Sequence, residues 1–328
     1  MKDKLVIATR GSRLALIQSN IVAEKLDHLG IKTELLIIKT KGDIDQTSPL
    51  QKIGGDGLFV RAIEQALLDG RADIAVHSAK DLPYKLADGL TIGCTPDAAD
   101  PRDVLITREQ VPSDISCWRS NDPAIDPQQP KMLPPVIGTD SPRRQAEFLR
   151  HCPDAVMKPL RGNVPTRLDK LRSGEYDGII LAKAGLDRLS LADRPDPACA
   201  SVDLTGLHMR IFEPAEMITA PCQGILAVEC RDPARSAAAE GTDHVRDDTI
   251  LKILSKTDNK SAATRFRAER YLFEFLEADC SAVIGVYAEQ MQTSLTIHGL
   301  FETNRASAAG NYSEYKELCD RVRKQIYT

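Results

Sequence analysis

The chain alternates short apolar runs with segments of helical periodicity. Residues 5–8 form an apolar run, Ser12 can cap the helix that follows, and Gly30 can end that helix. The alternation resumes near residue 136 and continues to the apolar run at residues 178–181. Such a repeat is typical of an α/β fold, in which helices cover a sheet of largely parallel strands. The pattern therefore predicts the α/β fold class.

One stretch, residues 72–83, carries polar groups suited to a ligand site. Its apolar run, residues 74–76, is followed directly by a polar segment that contains Lys80 and Asp81. Open α/β sheets bind ligands where buried strands deliver polar side chains at their carboxyl ends. Pro83 disfavours helical geometry at the residue before it, so we expect a turn there with Asp81 facing a cleft. The alternative is a solvated aspartate in a surface turn.

The length of the chain sets the expected number of domains. At 328 residues the chain exceeds one ordinary core, so two or three domains of about 100 to 150 residues are expected. The composition changes at the Asp-Pro-Arg-Asp segment, residues 100–103, where we place a domain crossing. Residues 190–217 are predicted to be less regular. After about Asp232, a charged helix at residues 262–278, alternating strands around residues 282–288 and 295–300, and a closing helix near residues 313–325 predict a small α+β domain. Residues 111–135 contain six prolines and are predicted to form a surface excursion.

The overall charge limits the partners of the chain. A formal net charge of -4 argues against a nucleic acid or an anionic membrane, because either would call for a basic domain. No apolar run reaches the roughly 18 residues of a membrane span, and residues 1–10 lack the apolar segment of a signal peptide. The eight cysteines show no Cys-x-x-Cys pair and no ligand spacing with histidine. We therefore expect a cytoplasmic protein without a metal site or disulfides.

Arginines recur where helices are predicted to start. Ser141 followed by Pro142 is a strong start signal, yet two arginines come next, although the helix dipole favours acids at that end. An anionic ligand resolves this conflict, since guanidinium groups and free backbone N–H groups both bind carboxylate or phosphate. The arginines at three predicted helix starts are Arg10, Arg13, Arg143, Arg144, Arg161 and Arg167. The alternative is that each is solvated or paired with a nearby acid such as Glu147 or Asp169.

These residues lie in segments that resemble the porphobilinogen deaminase family, also called the hydroxymethylbilane synthase family. The resemblance covers nearly the whole chain. The matching segments are residues 8–12, 57–60, 72–83, 100–103, 143–145, 160–164, 166–168 and 174–177. Their combination in this order is highly specific.

The resemblance implies two domains like those of periplasmic binding proteins, with mixed five-stranded sheets and a cleft between them, plus a small α+β C-terminal domain. The implied boundaries are residues 1–98 with 219–238 for domain 1, residues 99–218 for domain 2 and residues 239–328 for domain 3. Domain 1 would carry the catalytic aspartate and, at residues 41–57, a flexible loop over the active site. Domain 2 would be the arginine-rich lobe that binds anions, and domain 3 would carry a cofactor cysteine.

The implied activity is that of a transferase in tetrapyrrole and haem biosynthesis. Family members join four molecules of porphobilinogen head to tail, with loss of ammonia each time, and release the linear tetrapyrrole by hydrolysis. A dipyrromethane cofactor, built by the enzyme from its own substrate, would be held through a thioether at Cys280. Each substrate unit carries an acetate and a propionate, so the growing chain is a polyanion. The family also implies a monomer.

Asp81 falls on the catalytic aspartate of the family. Loss of ammonia leaves a cationic azafulvene, and attack by the terminal pyrrole leaves positive charge near its ring nitrogen. A carboxylate fixed in a cleft stabilises both cations and can move protons. The positions that would bind carboxylates of substrate and cofactor, or line the cleft, are Arg10, Ser12, Lys52, Lys80, Ser141, Arg143, Arg144, Arg161, Arg167, Arg188, Gln223 and Gly224.

The chain departs from the family pattern at four places. Ala278-Asp279 stands where the family has a Gly-Gly pair before the cofactor cysteine, and Asp56 replaces a lysine in the active-site loop. Both changes add negative charge beside a polyanionic ligand. Pro221-Cys222 replaces a Val-Gly pair and would stiffen an interdomain hinge. Pro142 replaces an apolar residue, which suits the first turn of a helix.

Two alternative functions follow from these departures. One is a divergent family member with weak or altered activity. The other, from a different class, is a non-catalytic two-lobed cytoplasmic binding protein for polycarboxylates. The presence of Asp81 and Cys280 argues against this second alternative, because simple carboxylate binding requires neither residue.

Overall fold

The structure is a computed structural model. It describes residues 4–39, 60–112, 114–118, 120–121, 132–190, 202–236, 244–276 and 282–328. Several predicted features lie outside the described residues, namely the active-site loop at residues 41–57 with Lys52 and Asp56, residues 122–131 of the proline-rich segment, and Cys280 with the preceding Ala278-Asp279 pair.

The described residues form fifteen strands and nine α-helices. The strands are β1 (Leu5–Arg10), β2 (Thr33–Ile38), β3 (Ile74–Ser78), β4 (Leu90–Ala98), β5 (Asp103–Thr107), β6 (Ser120–Asn121), β7 (Met132–Leu133), β8 (Val136–Gly138), β9 (Val156–Lys158), β10 (Gly178–Ala182), β11 (His208–Ile211), β12 (Ile225–Arg231), β13 (Ile284–Met291), β14 (Ser294–Phe301) and β15 (Asn304–Asn311). The helices are α1 (Arg13–Asp27), α2 (Arg61–Leu68), α3 (Pro142–His151), α4 (Val164–Arg172), α5 (Lys183–Ser190), α6 (Pro233–Ser236), α7 (His244–Ser255), α8 (Lys260–Phe275) and α9 (Tyr315–Ile326).

The first sheet has five strands in the order β2-β1-β3-β12-β4. Strand β1 pairs in parallel with β2 and β3, whereas β12 returns from far along the chain and pairs antiparallel with β3 and β4. Strand β12 is buried along its whole length, which explains why it is mostly apolar and does not alternate. Apolar residues of α1 and α7 pack in one core cluster with this sheet, and those of α2 pack in another.

The second sheet also has five strands, in the order β11-β5-β10-β8-β9. Its strands β10, β8 and β9 are parallel, while β5 runs antiparallel to both β10 and β11. Phe148 and Phe212 pack edge to face in one of its core clusters. Leu168 and Leu186 belong to the other. The sequence had predicted an irregular segment where β11 forms, because this edge strand is short and largely polar or half-buried.

The C-terminal part is a three-stranded antiparallel sheet, β13-β14-β15, packed against α8 and α9. Two of these strands were predicted. Strand β15 was not, because its alanines and glycine form no apolar or β-branched run. The predicted helix at residues 262–278 begins earlier, at Lys260, and ends earlier, at Phe275.

Two mixed five-stranded sheets followed by a small α+β unit confirm the predicted fold class. The exact domain boundaries stay a prediction, although β12 joins the first sheet as a discontinuous domain 1 requires. Among the residues that the structure describes, no helix is both long enough and apolar enough to cross a membrane.

Candidate active site

Asp81 lies just beyond the carboxyl end of β3. A single 3-10 turn covers Ala79–Asp81, and Leu82 has extended geometry, as expected for the residue before Pro83. The side chain of Asp81 is exposed, whereas the strand that precedes it is almost entirely buried. The predicted turn after a buried strand is therefore present.

A small cavity of about 70 Å³ lies beside Asp81. Because β1 and β3 are parallel neighbours, their carboxyl ends meet at one edge of the sheet, and residues that follow both strands line the cavity. The polar residues that line it are Arg10, Ser12, Gln18, His77, Ser78 and Asp81. The structure thus brings together three predicted site residues: Arg10, Ser12 and Asp81.

Hydrogen bonds fix the walls of this cavity. Ser12 is the N-cap of α1 and its hydroxyl accepts a hydrogen bond from the backbone N–H of Ala15 at 3.4 Å. Gln18 donates from its side-chain amide to the hydroxyl of Ser78 at 2.8 Å. Gln18 was not predicted as a site residue. Its only signal in the sequence was its place in the first helix, and its partner is 60 positions away.

His77, which lines the cavity, is paired with a buried acid. Nε2 of His77 lies 3.1 Å from a carboxylate oxygen of Glu229, and both side chains are almost fully buried. Glu64 lies nearby, and burial, its main influence, together with the charge of Glu229 raises its pKa. His77 therefore has a structural partner inside the protein.

Lys80 directly precedes Asp81 in the 3-10 turn. Water reaches its side chain, but the surrounding protein removes enough solvent to lower its pKa to about 8. Asp81 opposes this decrease, whereas Arg144 and Arg143 add to it. The charges of the Asp81 turn therefore act on those of Arg143 and Arg144 at the start of α3.

Arg143 and Arg144 surround a buried carboxylate that the sequence did not identify as a site residue. Asp103 is 0% exposed and accepts hydrogen bonds from Arg143 at 2.7 Å and from Arg144 at 2.8 Å and 3.0 Å. Burial alone would raise the pKa of Asp103, but the two guanidinium groups overcome this and hold it well below its usual range. We name Asp103, Arg143 and Arg144 the buried arginine cluster.

The buried arginine cluster explains how two arginines can occupy the start of α3. Ser141 is the N-cap and accepts from the backbone N–H of Arg144, and Pro142 lies in the first turn, as predicted. The anion that compensates the arginines here is Asp103. Pairing with an acid was the alternative stated for these positions, although the expected acid was Glu147. Glu147 instead accepts two hydrogen bonds from Arg305, at 2.6 Å and 2.7 Å.

Gln223 and Gly224 connect the buried arginine cluster with the first sheet. The side-chain amide of Gln223 donates to Asp103 at 2.9 Å. Gly224 has a φ of +88°, and a Cβ at this position would lie 2.5 Å from the carbonyl oxygen of Ala99, so only glycine fits. Arg188 donates to the carbonyl of Gly224 at 2.7 Å and to Asp97 at 2.9 Å.

The hinge next to Gln223 contains the departure Pro221-Cys222. Cys222 has a φ of 60°, the left-handed region that glycine prefers. Its backbone N–H donates to the buried carboxylate of Glu269 at 2.5 Å. That contact ties the hinge to α8 and helps to hold Cys222 in a costly conformation.

Arg161 and Arg167 flank the start of α4 and remain more accessible. Asn163 caps this helix, accepting from the backbone N–H of Thr166. Arg161 pairs with Asp140 at 2.9 Å, and Arg167 donates to the carbonyl of Gly162 at 2.8 Å. Burial lowers the pKa of Arg167, and the charges of Arg144 and Arg161 lower it further. Positive charge is therefore concentrated here without a carboxylate bonded to Arg167 among the described residues.

Comparison with known proteins identifies the family. A family model described as "Porphobilinogen deaminase, dipyromethane cofactor binding domain" matches residues 5–239. A "Porphobilinogen deaminase" of Chromobacterium violaceum is 38% identical over 301 residues, covering 91% of this chain and 84% of that protein. The chain belongs to the porphobilinogen deaminase family.

Solved structures show only a distant likeness. The VFT2 domain of BvgS from Bordetella pertussis is 12% identical, covers 81% of this chain and 93% of its own, and gives a TM-score of 0.40. Substrate binding domain 2 of GlnP from Lactococcus lactis is 10% identical, covers 82% and 94%, and gives a TM-score of 0.40.

Membership of the porphobilinogen deaminase family confirms the resemblance found in the sequence. It confirms the predicted transferase activity, hydroxymethylbilane synthesis in the tetrapyrrole pathway, and dipyrromethane as the cofactor. The described residues fit a ligand with several carboxylates. Arg10 and Ser12 line the cavity beside Asp81. Nε and Nη2 of the adjacent Arg13 are buried without a hydrogen-bond partner in the described part of the chain.

Proposed function

We propose that Asp81 is the catalytic carboxylate of the porphobilinogen-joining reaction in this family member. The observation that supports this role is the shared cavity of Asp81, Arg10 and Ser12, formed where β1 and β3 end together. This cavity joins an exposed carboxylate to a cation that can bind a substrate carboxylate. The carboxylate can stabilise a cationic intermediate, the cation can bind a substrate carboxylate, and neither group alone could do both.

The chemistry assigned to Asp81 follows from charge. Loss of ammonia makes the substrate cationic, and a fixed carboxylate stabilises that cation more than it stabilises the neutral ring. When the new carbon–carbon bond forms, the ring carbon of the attacking terminal pyrrole must lose its proton. Asp81 is exposed to the cleft and can accept that proton and pass it to solvent.

The other site residues divide into two roles. We assign direct carboxylate binding to the more accessible Arg10, Ser12, Lys80, Arg161 and Arg167, and also to Lys52, which lies outside the described residues. We assign support of the cleft wall, together with its positive potential, to Ser141, Arg143, Arg144, Arg188, Gln223 and Gly224. This division rests on hydrogen bonds, since Arg143, Arg144 and Arg188 are buried and already donate to partners within the protein.

The substitution Asp81→Asn tests the catalytic role. We expect kcat to fall by about 10² to 10⁴, the usual contribution of a positioned acid or base. The thermal stability should change little because the side chain is exposed. Asp88→Asn is the matched control, since Asp88 lies in the same loop and is 86% exposed. Equal activity in the two variants would remove Asp81 from the catalytic role.

We also propose Cys280 as the residue that holds the dipyrromethane. When bound, that group supplies the pyrrole carbon at which the chain of substrate units starts. The five cysteines whose side chains are described are all buried, and burial raises the pKa of Cys94 to about 12. Such thiols are poor nucleophiles.

Intact mass spectrometry tests this attachment. The purified protein should exceed its polypeptide mass by one dipyrromethane, and Cys280→Ser should have the bare mass. Cys94→Ser serves as the control and should keep the added mass. A wild-type protein that stays at the bare mass after incubation with porphobilinogen would contradict the attachment.

We further propose that the enzyme is a cytoplasmic monomer with the three predicted domains and no nucleic-acid partner. The net charge of -4 supports the absence of a nucleic-acid partner, because it provides no overall attraction for a polyanionic surface. Sedimentation at equilibrium would show the mass of one chain if the proposal holds.

A further inference from the structure

Helix α8 of the C-terminal part lies against the loop that follows Asp81. Ala262 and Phe266, one turn apart on α8, belong to a core cluster that also contains Ala79 and Leu82. Arg270 continues the same face one turn later, as the i, i+4, i+8 spacing requires. One face of α8 is therefore shaped around the two ends of the Asp81 turn.

Arg270 binds three consecutive backbone carbonyls of that loop. Its Nη1 donates to Pro83 at 2.6 Å and to Leu82 at 3.4 Å, and its Nη2 donates to Tyr84 at 2.5 Å. No other hydrogen bond to these carbonyls is present among the described residues. Pro83 also lacks an N–H, so the loop cannot form a regular turn ladder through that residue. The three carbonyls thus depend on one side chain.

The choice of arginine matters for this contact. A guanidinium presents a planar fork of donors, whereas an ammonium is a point charge that would reach fewer of three carbonyls in a row. The hydrogen bonds of Arg270 to the described residues go to the three loop carbonyls, whereas the carboxylates of Glu274 and Glu229 act on it through their charge. The backbone of the Asp81 loop is therefore the main polar partner of Arg270, as expected for a side chain that holds this loop in place.

We propose that Arg270 is a positioning residue that fixes the direction of the Asp81 carboxylate. Asp81 is held from one side by β3, which is buried in the sheet. On the other side the chain is held by the apolar contacts of Leu82 and by the fork of Arg270. Removal of the fork leaves only the apolar contacts of Leu82 on that side, so the backbone that carries the exposed carboxylate is held less firmly. This inference rests on the proposed catalytic role of Asp81.

The substitutions Arg270→Gln and Arg270→Lys test the proposal, with Arg267→Gln as the matched control. Arg267 lies on the same helix, is exposed, and among the described residues bonds only to the carbonyl of Ala263 in its own helix. We expect Arg270→Gln to lower kcat by about 10- to 100-fold, as expected for a misplaced catalytic group, with KM for porphobilinogen nearly unchanged. Arg270→Lys should lie between Arg270→Gln and the wild type.

Amide hydrogen exchange gives a readout that does not depend on activity. Exchange of the backbone amides of Leu82 and Ala87, which donate to the carbonyl of Ala79 and to the carboxylate of Glu64, should become about tenfold faster or more in Arg270→Gln and stay unchanged in the control, because the loop opens more often once the three bonds from Arg270 are lost. Unchanged exchange at these amides would overturn the proposal even if Asp81→Asn is inactive. If Arg270→Gln fails to fold, Arg270→Lys decides by the same measurement.

A double variant separates this inference from the function of Asp81. Because Arg270 acts through Asp81, adding Arg270→Gln to Asp81→Asn should cause little further loss of kcat. Fully additive losses would show that Arg270 acts independently, and would overturn the positioning role. Near-normal activity of Asp81→Asn alone would instead contradict the proposed function.

Discussion

The cavity beside Asp81 and the buried arginine cluster contain the same kinds of charged groups in opposite situations. Asp81 is exposed, whereas Asp103 is 0% exposed and is bonded to Arg143, Arg144 and Gln223. A carboxylate whose hydrogen-bonding positions are filled by the protein has little capacity left for a ligand. Arginines at a helix start therefore identify an external anion site only where the fold supplies no internal carboxylate.

The largest expected effect comes from breaking the buried arginine cluster. Asp103→Asn removes the negative charge and leaves two cations in the interior, so we expect a loss of about 3 to 5 kcal/mol in the free energy of unfolding. Urea denaturation measures it. Asp100→Asn is the control, since Asp100 pairs with the partly exposed Arg102, and a surface pair contributes only about 0 to 1 kcal/mol.

The stability of Asp103→Asn tests whether the buried arginine cluster has a structural role that the Asp81 cavity lacks. A large loss of stability supports a structural role for the cluster. If Asp103→Asn is as stable as Asp100→Asn but loses substrate affinity, the cluster is part of the ligand site and the contrast with the Asp81 cavity fails.

The next largest effect is expected at an accessible arginine. Arg167→Gln should raise KM for porphobilinogen by about 10- to 100-fold, the value of a charge-assisted hydrogen bond to a carboxylate. Stability should change little, because Arg167 bonds only to the carbonyl of Gly162 among the described residues. Arg172→Gln on the same helix is the control, and its KM should stay at the wild-type value. Equal KM values in the two variants would remove Arg167 from substrate binding.

The parts of the site that the sequence predicted are those set by local physics. An apolar run followed by Lys80, Asp81 and Pro83 determines both the buried strand and the turn after it. Ser12 and Ser141 were predicted as helix caps for the same reason, since a hydroxyl before a helix binds the first free N–H groups. Local patterns do not indicate what these residues do. Their predicted roles came from the segments that match the family.

The parts that were missed depend on contacts between distant positions. Asp103 lies 40 positions before Arg143, and Arg270 lies 187 positions after Pro83. No periodicity in the sequence indicates either contact, because the packing of sheets and helices brings these residues together. A carboxylate in a buried strand was nevertheless a clue, since a buried charge requires a partner.

Charges of both the Asp81 cavity and the buried arginine cluster act on Lys80. This residue gives the smallest predicted effect. Burial in the cleft lowers its pKa to about 8, Asp81 opposes the decrease, and Arg144 adds to it. The ammonium is charged below that pH and neutral above it, so its attraction for a substrate carboxylate is present below pH 8 and lost above.

We expect KM for porphobilinogen to rise about two- to fivefold between pH 7 and pH 9, the value of one exposed ion pair. In Lys80→Arg the side chain stays charged, and this part of the rise should disappear. Ionisation of the substrate affects both proteins equally and cancels in the comparison. An identical rise in both would assign the titration to another group and would show that the charge of Lys80 does not link the Asp81 cavity to the buried arginine cluster.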